Sequence, residues 1–321
     1  MPDQTRRPAN HGSALQSLPI LLRNLRAEQD AGRVLLLDAD ILEIWPHIQI
    51  SPFGVVAKSG KDPSVHGRTI HDLSFPPGLS VNDHTDRTAL PKPAYESCAA
   101  IVHEILRHRR LESHPPKILT GDVASAFRHV GIHSKSVYLF AGMIPELNLL
   151  IIDLCCPFGW TGSPSCYETF GGSITHLHRT TSITTGNTNF GYHWVDDHVC
   201  VAVDNEMNCL EIEHALRLAM INILGAESIN EAKFSGWHHR LKVLGLIFDA
   251  STSTVSIPPE KSEIHEILSR TLTTSHLNRY QNSVRCWALF GIFQLVYAPL
   301  GLSCSGFANL KESCCGIQKF T

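Results

Sequence analysis

Asp196 and Asp197 stand side by side in the stretch FGYHWVDDHVCVAV (residues 190–203), between two apolar runs that favour β structure. Like charges one residue apart repel, and two close carboxylates are costly unless they are protonated or bridged by a cation. Mg2+ is the natural bridge, because it takes one or two carboxylates and completes its shell with phosphate oxygens. A third carboxylate, Asp122, ends the β-leaning run KILTG and precedes the helix-like VASAF. If a central sheet sets that strand beside a hairpin built from 190–203, with Asp196-Asp197 at its bend, three carboxylates converge. Two Mg2+ ions about 3.5–4 Å apart could then clamp an in-line phosphoryl transfer. An Asp-Asp pair also occurs in ordinary turns, and an aspartate after a glycine is a common helix N-cap. The weight of the pattern therefore comes from what surrounds it.

The elements that must position these carboxylates follow from periodicity. Apolar residues at helical spacing predict a helix over 15–29. A second is predicted over 95–111, with Cys98, Ile101, Ile105 and Leu106 on one face and basic residues at its end. Residues 117–122 read as a strand and 123–132 as a short helical stretch. Further strand-like runs fall at 137–144 and 148–160. Ser163-Pro164 starts a helix within 162–179, and 209–224 is amphipathic. Residues 240–257 predict a hairpin bent at Asp249-Ala-Ser, and the prolines at 258 and 259 open a helix to 272. Residues 51–92, rich in Pro, Gly, Ser and Asp, hold short strands around GVVAK and RTIHDL, and residues 1–13 read as disordered. There is no internal repeat. Strands interleave with helices while neighbouring strands pair as hairpins, which predicts an α+β fold rather than a doubly wound parallel sheet.

The chain has 321 residues, 43% hydrophobic and 18% charged, enough apolar material for one or two folded domains. A net charge of −3 gives no global basic field, although a local basic groove can sit inside a near-neutral total. The ten cysteines form no CxxC pair and the N-terminus lacks a signal-peptide apolar core, so reduced cysteines and an intracellular location, cytoplasmic or nuclear, are expected. Residues 287–310 carry no charge, but Gln294, Pro299, Asn309, three glycines and two serines interrupt them, which favours a buried helix and loop over a membrane span. The oligomeric state is left open.

Six blocks in order resemble the reverse transcriptases of retroelements, the RNA-directed DNA polymerases. They are RTIHDLSFPPGLSVND (68–83), GDVASAFRHVGI (121–132), PFGWTGSPSCYETF (157–170), WVDDHV (194–199), EAKF (231–234) and LKVLGLIF (241–248). The resemblance covers roughly residues 50–257. SVND and FGWTGSP are similar to gypsy-like or tyrosine-recombinase-type retrotransposons.

The resemblance implies a right-hand polymerase. An N-terminal extension (1–50) precedes fingers and palm (51–257), with an antiparallel palm sheet backed by helices, and a partial thumb and unassigned tail follow (258–321). It implies a nucleotidyltransferase that uses two Mg2+ ions, with Mn2+ as a possible substitute, a primed RNA or DNA template and a deoxynucleoside triphosphate, and no membrane. Asp122 and Asp196 would hold the metals, with Asp197 in support and the Val123 carbonyl as a further contact. Phe127 would pack against the sugar and reject a 2′-hydroxyl, its alternative being plain core. Arg68 would grip the triphosphate, oriented by Asp72, unless it is a solvated loop charge. Lys58 is a second phosphate contact, with Lys61 competing for the role. Phe158, Gly159, Trp160 and Ser163 would shape the nucleotide pocket and template track. Lys233 would protonate the pyrophosphate leaving group or screen its charge. Two departures stand out: Trp194 before the valine, and His198 in place of the usual apolar residue, expected to face solvent. A metal site of its own built from His193 and His198 is the minor alternative. No RNase H, protease, integrase or recombinase segment follows, so a truncated, inactive remnant is the competing expectation.

Overall fold

A computed structural model describes residues 4, 6–58, 60–181, 189–205, 207–259 and 317–319. In chain order the elements are α1 (Gly12–Gln16), α2 (Leu18–Asp30), β1 (Val34–Asp38), β2 (Phe53–Ala57), β3 (Gly67–His71), α3 (Ala99–Leu111), β4 (Lys117–Asp122), β5 (Ala141–Ile144), β6 (Leu149–Asp153), α4 (Ser163–Thr180), β7 (Tyr192–Trp194), β8 (Asp197–Ala202), α5 (Asn208–Leu224), β9 (Arg240–Val243), β10 (Leu246–Asp249), β11 (Thr254–Ser256) and β12 (Ile317–Lys319). Helices and antiparallel sheets mix, as the pattern of hairpins predicts. The chain divides into two compact units, Met1–Pro93 with Ser125–Phe170, and Ala94–Ala124 with Gly171–Thr321.

The first unit holds a β1-β6-β5 sheet and a β2-β3 hairpin. Helix α2 starts at a proline in its first turn and buries Ile20, Leu21 and Leu25. These pack with Phe53, Val55, Ile144 and Ile151 into one core. The expected disorder of residues 1–13 does not hold where the chain is described. Gln4 exchanges side-chain hydrogen bonds with both backbone groups of Ile50, and Asn10 accepts from Phe53 N and donates to Met143 O, both at 2.8 Å. A polar tail can be ordered by pairing with strand edges, which hydropathy does not register.

The second unit holds a β4-β8-β7 sheet and a β12-β11-β10-β9 sheet. Ile101 and Ile105 of α3 pack onto Ile118, Tyr192, Val199, Val201, Val243 and Phe248. The stretch 240–257 bends twice. The first bend, at Leu244-Gly245, has both residues at positive φ (50° and 83°), the geometry that matches strand twist in a two-residue hairpin. The second is the expected one, where Asp249 Oδ1 accepts from Ser251 N and Thr252 N. Residues 260–272 of the expected last helix, and the uncharged run 287–310, lie outside the described residues. Among the described residues no helix is long and apolar enough to cross a membrane.

Candidate active site

The second unit sets the three aspartates together through strand register. β4 ends at Asp122, β8 begins at Asp197, and these two are direct cross-strand partners. Opposed residues on an antiparallel ladder project from the same face, so both carboxylates leave one side of the sheet, and the next pair, Gly121 and His198, leaves the other. β7 and β8 are joined by a two-residue turn, because Trp194 pairs with Asp197. The bend is therefore Val195-Asp196, not the aspartate pair, and Asp197 already belongs to the strand. Val195 sits at φ 55°, a conformation that a β-branched residue rarely adopts. Val123 N donates to Asp196 O at 2.9 Å and ties the strained turn to the end of β4.

Residues 225–235 close over the end of β4. Asn230 N donates to Asp122 O at 3.1 Å, and Ala124 N donates to Ser228 O at 2.8 Å. Gly121 makes this approach possible: a Cβ there would lie 2.7 Å from the Phe234 ring and 3.2 Å from Leu216. Arg217 covers the same ring, 3.9 Å from its centre, and is held by Glu213 and Glu231. With Phe234 pinned, a 3-10 turn over Glu231–Lys233 delivers two donors to Asp122. Asn230 Nδ2 donates to Oδ1 and Lys233 Nζ donates to Oδ2, both at 2.7 Å.

Asp122 is 3% exposed. Burial raises the Asp196 carboxyl, the charge of Asp122 adds to the rise, and Lys233 opposes it. Burial also raises Asp197, and with the charges of Asp196 and Asp122 pushes it up to about 6 against the pull of Lys233. Partial burial works against the Lys233 ammonium, but its bond to Asp122 and the charges of all three aspartates hold it above its ordinary value. The cluster thus carries more negative charge than one lysine offsets. Its donors are carboxylate oxygens, the chemistry that suits Mg2+ or Mn2+. Among the described residues no group of three or more His, Cys, Asp or Glu side chains is arranged to hold a metal ion.

The remaining expected site residues belong to the first unit. Arg68 lies exposed on β3 opposite Val56, and Lys58 and Lys61 are exposed in the loop that joins β2 to β3. Asp72 does not serve Arg68: its carboxylate meets His11 Nε2 at 2.9 Å and accepts from Ser74 N at 3.1 Å. Phe127 is 9% exposed, its ring 5.0 Å from Phe158 and 5.8 Å from Tyr167, while Phe158 is largely exposed. Gly159 is required by a close backbone approach, since a Cβ there would lie 1.8 Å from the His71 carbonyl oxygen. Trp160 packs on Phe140 and donates to Thr85 Oγ1. Ser163 is fully buried and its hydroxyl donates to Pro157 O at 2.6 Å, so it shapes the loop before α4 and presents no free hydroxyl.

The sequence matches no family model and no curated protein. Solved structures do match. A foamy viral protease–reverse transcriptase in complex with an RNA/DNA hybrid aligns over 91% of this chain and 32% of that one, with a TM-score of 0.57 at 15% identity. A foamy viral protease–reverse transcriptase dRH in complex with double-stranded DNA aligns over 87% of this chain and 40% of that one, with a TM-score of 0.55 at 13% identity. The fold is reverse-transcriptase-like. This chain spans less than half the length of those viral chains.

Within the reverse-transcriptase-like fold, His198 departs from expectation. It does not face solvent: it is 2% exposed, stacked 5.7 Å from His193, and its Nε2 is buried without a hydrogen-bond partner among the described residues. Burial, and then the charges that His193 and His178 would carry, hold its ring well below the ordinary histidine value. As the partner of Gly121 it points to the face opposite Asp122 and Asp197. Trp194 is partly exposed and stacks 4.9 Å from Tyr95. Three residues escaped the reading of the sequence. Asn230 binds Asp122, and its signal was a polar side chain three positions before Lys233. Asn82 brackets the loop of Gly159, donating to Gly159 O and accepting from Thr161 N, both at 2.9 Å. A third omission is Arg128, buried between Glu28 and Asp153, whose other oxygen lies 2.8 Å from His71 Nδ1.

Proposed function

We propose that this chain is an RNA-directed DNA polymerase, a nucleotidyltransferase that extends a primer on an RNA or DNA template. The observation that carries the reading is the register Asp122 opposite Asp197, with Asp196 on the adjoining turn, inside a reverse-transcriptase-like fold. Asp122 and Asp196 would hold two Mg2+ ions, or Mn2+, with Asp197 in support and the Val123 carbonyl as a further contact. When bound, such ions lower the pKa of the primer 3′-hydroxyl and offset charge that develops on the phosphate. The hydroxyl gives its proton to water as its oxygen attacks the α-phosphorus, the bond from that phosphorus to the bridging β-phosphate oxygen breaks, and pyrophosphate leaves. Lys233 supplies positive charge or a proton to that leaving group. Arg68, with Lys58 or Lys61, grips the triphosphate, a role their exposure permits. Phe127 meets the sugar face, with Phe158, Gly159 and Trp160 forming the surrounding pocket and Ser163 and Asn82 holding its loop.

Arrangement as a right hand of fingers, palm and thumb belongs to the same proposal. An origin in a gypsy-like or tyrosine-recombinase-type element rests on SVND and FGWTGSP alone. Primer extension on poly-rA with oligo-dT and Mg2+ tests the function. Wild type should extend and Asp196→Asn should not. Extension that survives the substitution would refute the metal assignment, and no extension by either would favour the inactive remnant.

A further inference from the structure

Asp122 is almost fully buried, yet one of its two carboxylate oxygens is held by a group that is free to leave. On Oδ1 sits the Asn230 amide, anchored at its own backbone by the bond from Asn230 N to Asp122 O. On Oδ2 sits the Lys233 ammonium, whose side chain is 59% exposed. The backbone beneath Lys233 is fixed, because Phe234 is wedged against Gly121 and covered by Arg217. The flexible four-carbon stem can therefore swing into water without disturbing the turn or opening a cavity. Asn230 has a short stem on a backbone that is itself bonded to Asp122 O, and being neutral it does not change the charge of the cluster.

Resting on the reading that Asp122 and Asp196 hold divalent cations, we propose that Lys233 is a placeholder cation. Its ammonium neutralises Asp122 in the metal-free protein and is displaced when a divalent ion arrives, while Asn230 stays and fixes the orientation of the carboxylate. Displacement lowers the apparent affinity for the ion and frees the ammonium only once the site is loaded. Lys233 and Asn230 are thus positioning residues toward the metal, whatever either does later.

Two measurements on the full chain, without nucleic acid, test this. Free Mn2+ read by electron paramagnetic resonance should show Lys233→Met, or Lys233→Gln if the first fails to fold, binding about two- to fivefold more tightly than wild type, the worth of one partly exposed ion pair. Asn230→Ala should bind more weakly. Acylation read by mass spectrometry should show Mg2+ increasing the labelling of Lys233 relative to Lys117, which is paired with Asp204 elsewhere. Unchanged or weaker Mn2+ binding by the Lys233 variants, or labelling of Lys233 that Mg2+ leaves unchanged or lowers, would overturn the placeholder role. Wild-type binding retained in Asp196→Asn would instead overturn the metal assignment beneath it, and no Mn2+ binding by any variant would overturn both.

Discussion

Replacing Asp197 by asparagine should stabilise the chain at neutral pH when no divalent ion is present, although it removes a residue assigned to the active site. Burial and the charges of Asp196 and Asp122 push the Asp197 carboxyl from its ordinary 3.8 up to about 6. The folded state thus favours the protonated form. Its contribution to stability is fully present below the unfolded value and is lost as pH rises through about 6. A displacement of about two pKa units corresponds to about 3 kcal/mol, and solvent screening of this incompletely buried group brings the expected gain to about 1–3 kcal/mol. An asparagine side chain cannot ionise, so the Asp197→Asn variant escapes the penalty. Burial holds His178 down at about 4, so its contribution is lost as pH falls from 6.5 toward 4, the opposite sign, but it is common to both proteins and cancels in their difference. Urea denaturation in a chelator, followed by circular dichroism from about pH 4 to about pH 7, measures that difference. It should be small at the acid end and grow to favour the variant. A variant no more stable than wild type at neutral pH, or a difference flat across the range, would refute the claim that the aspartates are mutually uncompensated. Saturating Mg2+ should shrink the gain, because the ion supplies to wild type the charge that asparagine no longer needs.

Gly159→Ala places a Cβ 1.8 Å from the His71 carbonyl oxygen, a backbone atom that cannot yield alone, so thermal denaturation should show a loss of at least about 3 kcal/mol. Arg128→Met takes the guanidinium from between Asp153 and Glu28, leaving them only His71 and Arg33, and should cost about 3 kcal/mol, part of which a second change, Asp153→Asn, restores. Phe127→Ala should cost about 3 kcal/mol through lost packing on Phe158 and Tyr167, and in primer extension should raise the use of ribonucleotides over deoxyribonucleotides. Lost stability with an unchanged sugar preference would leave Phe127 a packing residue only.

Much of the second unit was legible along the chain because it depends on neighbours. The short apolar, β-leaning runs in 117–122 and 197–202 define β4 and β8, the 3.6-residue spacing defines α3 and α5, and Asp122 falls where its strand-like run ends. The bend of the hairpin was misplaced by one residue, because Trp194 pairs with Asp197 and forces Val195 into a conformation that its side chain argues against. The interior position of His198 was likewise hidden: its face follows from pairing with Gly121, and a histidine carries no hydropathy that predicts it. Asn230, Phe234 and Lys233 reach β4 from more than a hundred residues away, and Arg128 joins residues drawn from α2 and β6. Short-range periodicity is set by backbone geometry and can be read from side-chain order. Which distant polar group satisfies a buried carboxylate depends instead on how the elements pack, and only the folded chain brings Asn230 and Lys233 to Asp122.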